Sequence, residues 1–141
     1  MKEIKGSVII NVPAEKVWAT VTDFSSYPEW NPFVTRMEGE LKEGGVFDIV
    51  VSLPERDEIK YRSTLVKMEK DKELLFKGKV RFLLSEEHSK LIEQIEDSKC
   101  VFSQRITFKG LLTLFAGKVI KDSQVGLNKM NEELKKRCEK K

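Results

Sequence analysis

The last part of the chain carries one long apolar stripe at helical spacing, and this stripe limits which folds are possible. Its apolar residues recur mostly at steps of three or four, with an interruption at Ser123. They are Leu112, Phe115, Val119, Leu127, Met130, Leu134 and Cys138. One helix of this kind can cover only one face of a sheet, so the other face of any sheet beside it must be polar.

The preceding sequence alternates between apolar and polar residues over seven segments, which is the pattern of half-buried strands. The predicted strands are residues 3–12, 33–41, 46–53, 58–69, 73–82, 88–96 and 100–109. Most of the connections after the second segment are short, and short turns favour an antiparallel meander. The pattern therefore predicts a two-layer α+β domain.

Between the first two predicted strands lies a helical pair, residues 14–31. Pro13 and Pro28 suit the first turns of two short helices, and Pro32 favours an extended exit. Phe24, Tyr27 and Trp30 bring three aromatic rings into seven positions. Such rings either plug one end of the sheet or also line the opening of a cavity.

These residues carry a resemblance to a known family. Asn11–Trp18, Asp23-Phe24 and Tyr27–Pro32, together with Phe108–Leu112 before the last helix, resemble the START-like (SRPBCC) superfamily in its polyketide cyclase/dehydrase-like branch. The resemblance implies the helix-grip fold: a curved antiparallel sheet of about seven strands wrapped on a long C-terminal helix, with two short helices after the first strand. It also implies a cavity between helix and sheet.

The length of 141 residues fits one domain, taken as residues 1–141. No apolar run approaches the ~18 residues of a membrane span, and the first residues lack a signal-peptide pattern, so a cytoplasmic location is expected. The two cysteines, Cys100 and Cys138, are expected to be free thiols. With one histidine in the chain, a cysteine–histidine metal site is not expected, and neither is a cofactor.

The net charge of +3 is concentrated in the last helix and tail, where residues 118–141 contain eight basic and four acidic residues. This pattern fits a solvated helix face, and alternatively a weak attraction to anionic membranes. The basic residues are not interleaved with exposed aromatic residues, which argues against nucleic acid as a partner.

We interpret the matched apolar faces as the wall of a binding site for a small hydrophobic molecule, such as a lipid, isoprenoid, polyketide or aromatic compound. This hypothesis requires a cavity near ~300 Å³ or above. Gln104 interrupts the apolar face of its strand, where it either bonds to the protein or orients a ligand group. The predicted wall consists of Trp30, Phe47, Ile49, Tyr61, Phe76, Phe102, Gln104, Phe108, Leu127 and Met130.

The sequence shows no convincing catalytic set. Leu83–Glu87 is predicted to be a loop and His88 a surface or loop-packing residue, and the apolar strand faces supply few acids or bases. We therefore expect the protein to be a binding module and not an enzyme. A cyclase or dehydratase using the same pocket remains an alternative. Another is a protein-interaction domain resembling the chaperone-activating or ubiquinone-associated branches, with an exposed apolar patch and no enclosed cavity.

Overall fold

The computed structural model describes residues 2–81 and 84–140. Within these residues one seven-stranded antiparallel sheet has the order β1-β7-β6-β5-β4-β3-β2. The strands are β1 (Lys2–Ile10), β2 (Val34–Glu38), β3 (Val46–Val51), β4 (Ile59–Glu69), β5 (Glu73–Arg81), β6 (Leu84–Glu96) and β7 (Lys99–Lys109). The helices are α1 (Ala14–Val21), α2 (Tyr27–Trp30) and α3 (Gly117–Glu139), with 3-10 turns at Phe24–Ser26 and Leu111–Leu114.

The long helix α3 packs along the concave face of the curled sheet, as the single apolar stripe predicts. Its buried residues include Leu127, Met130 and Leu134. Gly6 on β1 allows a close approach, because a Cβ at this position would lie 3.0 Å from the Leu127 side chain. The α+β helix-grip prediction is confirmed.

The aromatic residues of the helical pair form part of the core at one end of the sheet. The Tyr27 ring is fully buried, and its hydroxyl donates a hydrogen bond to the Val21 carbonyl. Phe24 packs edge-to-face against Tyr27 and against Phe47 of β3, with ring centroids 5.5 and 5.1 Å apart. Asn31 fixes the exit from α2, because its Oδ1 accepts hydrogen bonds from the backbone N–H groups of Phe33 and Val34.

Most strand ends differ from the sequence prediction by one to three residues, and two boundaries change what a segment is. Strand β6 begins at Leu84, so residues 84–87 are strand and not loop; Phe82 and Leu83 lie outside the described residues. Helix α3 begins at Gly117, and Phe115, predicted on the buried stripe, is 84% exposed. The predicted stripe runs back from α3 through Phe115 and the 3-10 turn before it, where the 3.6-residue repeat of an α-helix does not apply.

Among the described residues, no helix combines the length and apolarity that crossing a bilayer requires.

Candidate functional site

Three titratable side chains of β6 lie inside the fold and face the concave side of the sheet. Glu86, His88 and Lys90 are buried, with exposures of 5%, 6% and 3%. They alternate with the half-buried outward residues Ser85, Glu87 and Ser89. The parity follows from the strand, because Leu84 and Ile92 are buried on the same face. We call Glu86, His88 and Lys90 the polar row.

His88 connects the polar row to the long helix. With the Gln104 amide oriented so that its Nε2 donates to Asn131 Oδ1 (2.7 Å), Gln104 Oε1 accepts from His88 Nε2–H at 2.8 Å. Burial, followed by the nearby Lys90 charge, lowers the pKa of His88 to about 3, while the bond to Gln104 opposes this shift. The imidazole is therefore neutral at physiological pH, and the prediction of a surface or loop histidine is wrong.

Glu86 is held at one oxygen and left without a partner at the other. Ser63 Oγ donates to Glu86 Oε1 at 3.1 Å, whereas the buried Oε2 has no hydrogen-bond partner in the described structure. Burial raises the pKa of Glu86 to about 7, although Ser63 and the charge of Lys90 oppose this shift. Burial and the charge of Glu86 also raise the pKa of Tyr61.

Lys90 lies between aromatic rings. Its Nζ is 5.7 Å from the centroid of the Tyr27 ring and 5.6 Å from that of Phe76. Burial lowers the pKa of Lys90 to about 8, against the opposing effect of the Glu86 charge. Because buried lysines and carboxylates are costly, the polar row lowers the stability of the fold relative to an apolar strand face.

Two small voids adjoin the polar row. One of about 10 Å³ is lined by Tyr61, Phe76 and the three polar-row residues, among others. A second of about 40 Å³ shares Tyr61 and Glu86 with it and reaches Phe108 and Val119. A single water needs ~10–15 Å³, so the enclosed space is far below that of a pocket for a drug-sized ligand. The expected cavity of ~300 Å³ or more between the helix and the sheet is therefore not present among the described residues, and a ligand could enter only if side chains move.

The structure brings some of the predicted wall residues to these voids. Ile49, Tyr61 and Phe76 line the smaller void, and Tyr61 and Phe108 line the larger one. The remaining predicted residues are half-buried (Trp30) or buried in the surrounding core: Phe47, Phe102, Gln104, Leu127 and Met130.

Larger depressions lie elsewhere on the surface. A groove of about 730 Å³ is lined by residues including the outward-facing Glu87, Ser89, Arg105 and Thr107 of the opposite face. It is open to solvent and does not include the titratable side chains of the polar row, so we place the candidate site inside the fold.

Sequence reasoning missed the polar row, although the chain contains a signal for it. The alternation Leu84, Glu86, His88, Lys90, Ile92 is a period-2 face whose two ends are apolar. The expectation that the inner strand faces supply few acids or bases is therefore wrong.

Cys100 and Cys138 are both buried free thiols, as expected. Within the described parts of the chain, no group of His, Cys, Asp and Glu is arranged to hold a metal ion.

A curled sheet closed over a long C-terminal helix defines a START-like helix-grip protein. A START superfamily protein from Mycobacterium smegmatis has the same fold, with a TM-score of 0.79, 15% identity and 97% coverage of each chain. The di-domain aromatase/cyclase (ARO/CYC) BexL from the BE-7585A biosynthetic pathway aligns with a TM-score of 0.76 and 12% identity, over 99% of this chain and 50% of BexL. Norcoclaurine synthase from Thalictrum flavum, solved with dopamine and hydroxybenzaldehyde, aligns with a TM-score of 0.72 and 10% identity, over 96% and 85% of the two chains.

The chain belongs to the family described as polyketide cyclase/dehydrase and lipid transport, whose sequence profile matches residues 1–139. No curated protein matches the sequence significantly.

Proposed function

We propose that the protein binds a small, mostly apolar molecule with one polar group, held between α3 and the concave face of the sheet. The observation that carries this proposal is Glu86 Oε2, a buried oxygen that lacks a hydrogen-bond partner. Leaving such an atom unpaired costs about 1–3 kcal/mol, or more if the group is charged. A hydroxyl or other donor on a ligand would satisfy it.

The surroundings of Glu86 supply the apolar part of the site. Ile49, Tyr61, Phe76 and Phe108 line the two voids, and the other predicted wall residues form the packed shell behind them. This composition, apolar with few polar groups, is typical of small-molecule sites. The family description also includes lipid transport, which is consistent with a hydrophobic ligand.

Binding requires the two voids to merge and expand. They already share Tyr61 and Glu86, so outward rotation of the Tyr61 ring would connect them. Tyr61 is half-buried and has no side-chain hydrogen bond to another described residue, so its rotation breaks none.

The proposal is tested by native mass spectrometry of the purified protein, followed by denaturation and analysis of the released small molecules. We expect a co-purifying apolar compound of defined mass on the wild type. Glu86→Gln should reduce its occupancy several-fold, because an amide accepts less strongly than a carboxylate. Glu87→Gln, the outward neighbour on the same strand, is the matched control and should retain it.

If the wild type carries nothing, the same proteins can be titrated with 1-pyrenebutanol, a fluorescent apolar alcohol whose hydroxyl can donate to Glu86 Oε2. Absence of saturable binding, or equal binding by the Glu86→Gln and Glu87→Gln variants, would contradict a site at the polar row.

A second candidate function is a cyclase or dehydratase. The observation that favours it is a carboxyl with a pKa of about 7 and an amine with a pKa of about 8 on one buried strand face. Groups that titrate near neutral pH transfer protons efficiently in both directions. In such an enzyme, Glu86 would remove a proton next to a ligand carbonyl, and Lys90 would stabilise the enolate oxygen. The enolate would then re-form the carbonyl as the bond to the β-hydroxyl breaks, and the proton held by Glu86 would return to that hydroxyl, which leaves as water.

Dehydration of 4-hydroxy-2-butanone tests this second candidate, because loss of water gives an enone with a strong ultraviolet absorbance. The wild type and Glu87→Gln should accelerate the reaction, whereas Glu86→Gln and Lys90→Met should not. Equal rates in all four proteins would contradict a catalytic role for Glu86 and Lys90.

A further inference from the structure

We infer that the segment joining β7 to α3 docks the protein on a phospholipid membrane surface. In this segment, Leu111, Leu114 and Phe115 are 67%, 76% and 84% exposed, which makes them the three most exposed large hydrophobic residues of the described chain. They fall within five positions, whereas exposed apolar residues are normally scattered singly. We call these three side chains the apolar tip.

The apolar tip is held outward by local structure. Residues 111–114 form a 3-10 turn, closed by the Thr113 hydroxyl, which donates to the Gly110 carbonyl at 2.8 Å. Thr113 is buried, and Leu112 packs against the core. Because the two consecutive residues Leu112 and Thr113 anchor the turn, the tip residues on either side of them project away from the domain.

The charges around the tip fit a phospholipid headgroup layer. Residues 109–121 contain Lys109, Lys118 and Lys121, all exposed, and no acidic residue. Lys118 lies 3.4 Å from Asp122, which also pairs with Arg56, and Lys109 lies 4.0 Å from Glu87. Lysines beside exposed Leu and Phe side chains are characteristic of segments that lie in the membrane interface.

Acidic residues nearby limit the electrostatic part of this attraction. The connection between β3 and β4 carries Glu55, Asp57 and Glu58, and Arg56 ties it to α3 through Asp122. The apolar tip therefore supplies most of the binding, and the lysines supply a modest preference for anionic lipid.

The position of the tip relates it to the internal voids. The segment lies between Phe108 of β7 and Val119 of α3, and both of these residues line the larger void. A membrane bound to this segment would lie beside the end of the fold where Phe108 and Val119 line the larger void. Docking is nevertheless independent of whether a ligand occupies the interior.

Sedimentation with sucrose-loaded vesicles of phosphatidylcholine and phosphatidylglycerol (3:1) tests the inference. We expect the wild type to co-sediment with the vesicles. The double variant Leu114→Ser/Phe115→Ser should have a partition coefficient lower by about tenfold or more, because two large exposed side chains lose their apolar surface. The matched control, Val46→Ser/Ile95→Ser, removes two apolar residues that are 56% and 50% exposed elsewhere and should sediment like the wild type. Circular dichroism and light scattering would establish that all three proteins are folded and in the same oligomeric state.

Three results would overturn the inference: no co-sedimentation of the wild type, equal partitioning of the wild type and the tip variant, or an equal loss in the Val46/Ile95 control. A wild-type dimer that the tip variant converts to monomer, without vesicle binding, would instead assign the tip to a contact between two copies of the chain. Glu86→Gln should sediment like the wild type, which separates this test from that of the internal site.

Discussion

Wild-type protein is expected to lose about 4 kcal/mol of unfolding free energy, relative to a His88→Gln variant, as the pH falls from 6.5 to about 3. The folded state lowers the pKa of His88 to about 3, so between these pH values the unfolded chain binds a proton that the folded protein excludes. Such a group contributes stability that is fully present above the unfolded pKa and is lost as the pH falls. Glutamine keeps an N–H donor for Gln104 Oε1 but does not titrate.

The groups around His88 do not disturb this comparison. Glu86 acts in the opposite direction, because its pKa is raised to about 7, and its contribution to stability is lost as the pH rises from 4.5 to 7. Lys90 stays protonated throughout the acid range. Both groups are present in both proteins, so their effects largely cancel in the difference.

Urea denaturation at several pH values between 3 and 8 measures the difference directly. The outward variant Glu87→Gln serves as the control and should follow the wild type more closely than His88→Gln does. Parallel stability curves for the wild type and His88→Gln would show that His88 is not buried in its neutral form.

Replacing Gln104 by leucine is expected to lower the free energy of unfolding by about 3 kcal/mol, although the leucine fills most of the same space. The cost arises because His88 Nε2–H and Asn131 Oδ1 would both lose their partner inside the fold. Each unsatisfied buried group costs about 1–3 kcal/mol. Denaturant unfolding measures this loss.

The neighbouring residue on β7 provides the control for Gln104. Arg105 points outward and forms an exposed ion pair with Glu3 at 3.3 Å, so Arg105→Leu should cost less than about 1 kcal/mol. Combining Gln104→Leu with Asn131→Leu removes one of the two orphaned groups, so the double variant should lose less stability than the sum of the single variants. Additive losses would contradict a connected hydrogen-bond chain.

Regular periodicity made most of the fold predictable. The strand alternation and the Leu127–Leu134 stripe follow directly from burial on one face, and the motif around Tyr27–Pro32 indicated the family. Phe115 was misplaced because apolar spacing alone cannot distinguish a buried helical turn from an exposed 3-10 turn.

The candidate site was harder to predict than the fold. Charged residues such as Glu86 and Lys90 are almost never fully buried unless paired. The sequence therefore favoured a loop at Glu86, and gave no reason to place Lys90, within the predicted strand 88–96, on an inward face. The partner of Gln104 was also not predictable, because Asn131 lies 27 residues away and their contact depends on how α3 packs across the sheet. Long-range packing, and not local propensity, determines this arrangement.

The pairing of β1 with β7 has a consequence for how the chain folds during synthesis. Lys2 is paired with Phe108 and Ile10 with Cys100, so the first strand finds its hydrogen-bonding partner only after almost a hundred further residues. At ~5–20 residues per second, a ribosome needs roughly 5–20 s to supply that partner. During this interval the edge of β1 is open to other chains, and the charged residues Lys2, Glu3 and Lys5 at its start limit the risk of aggregation.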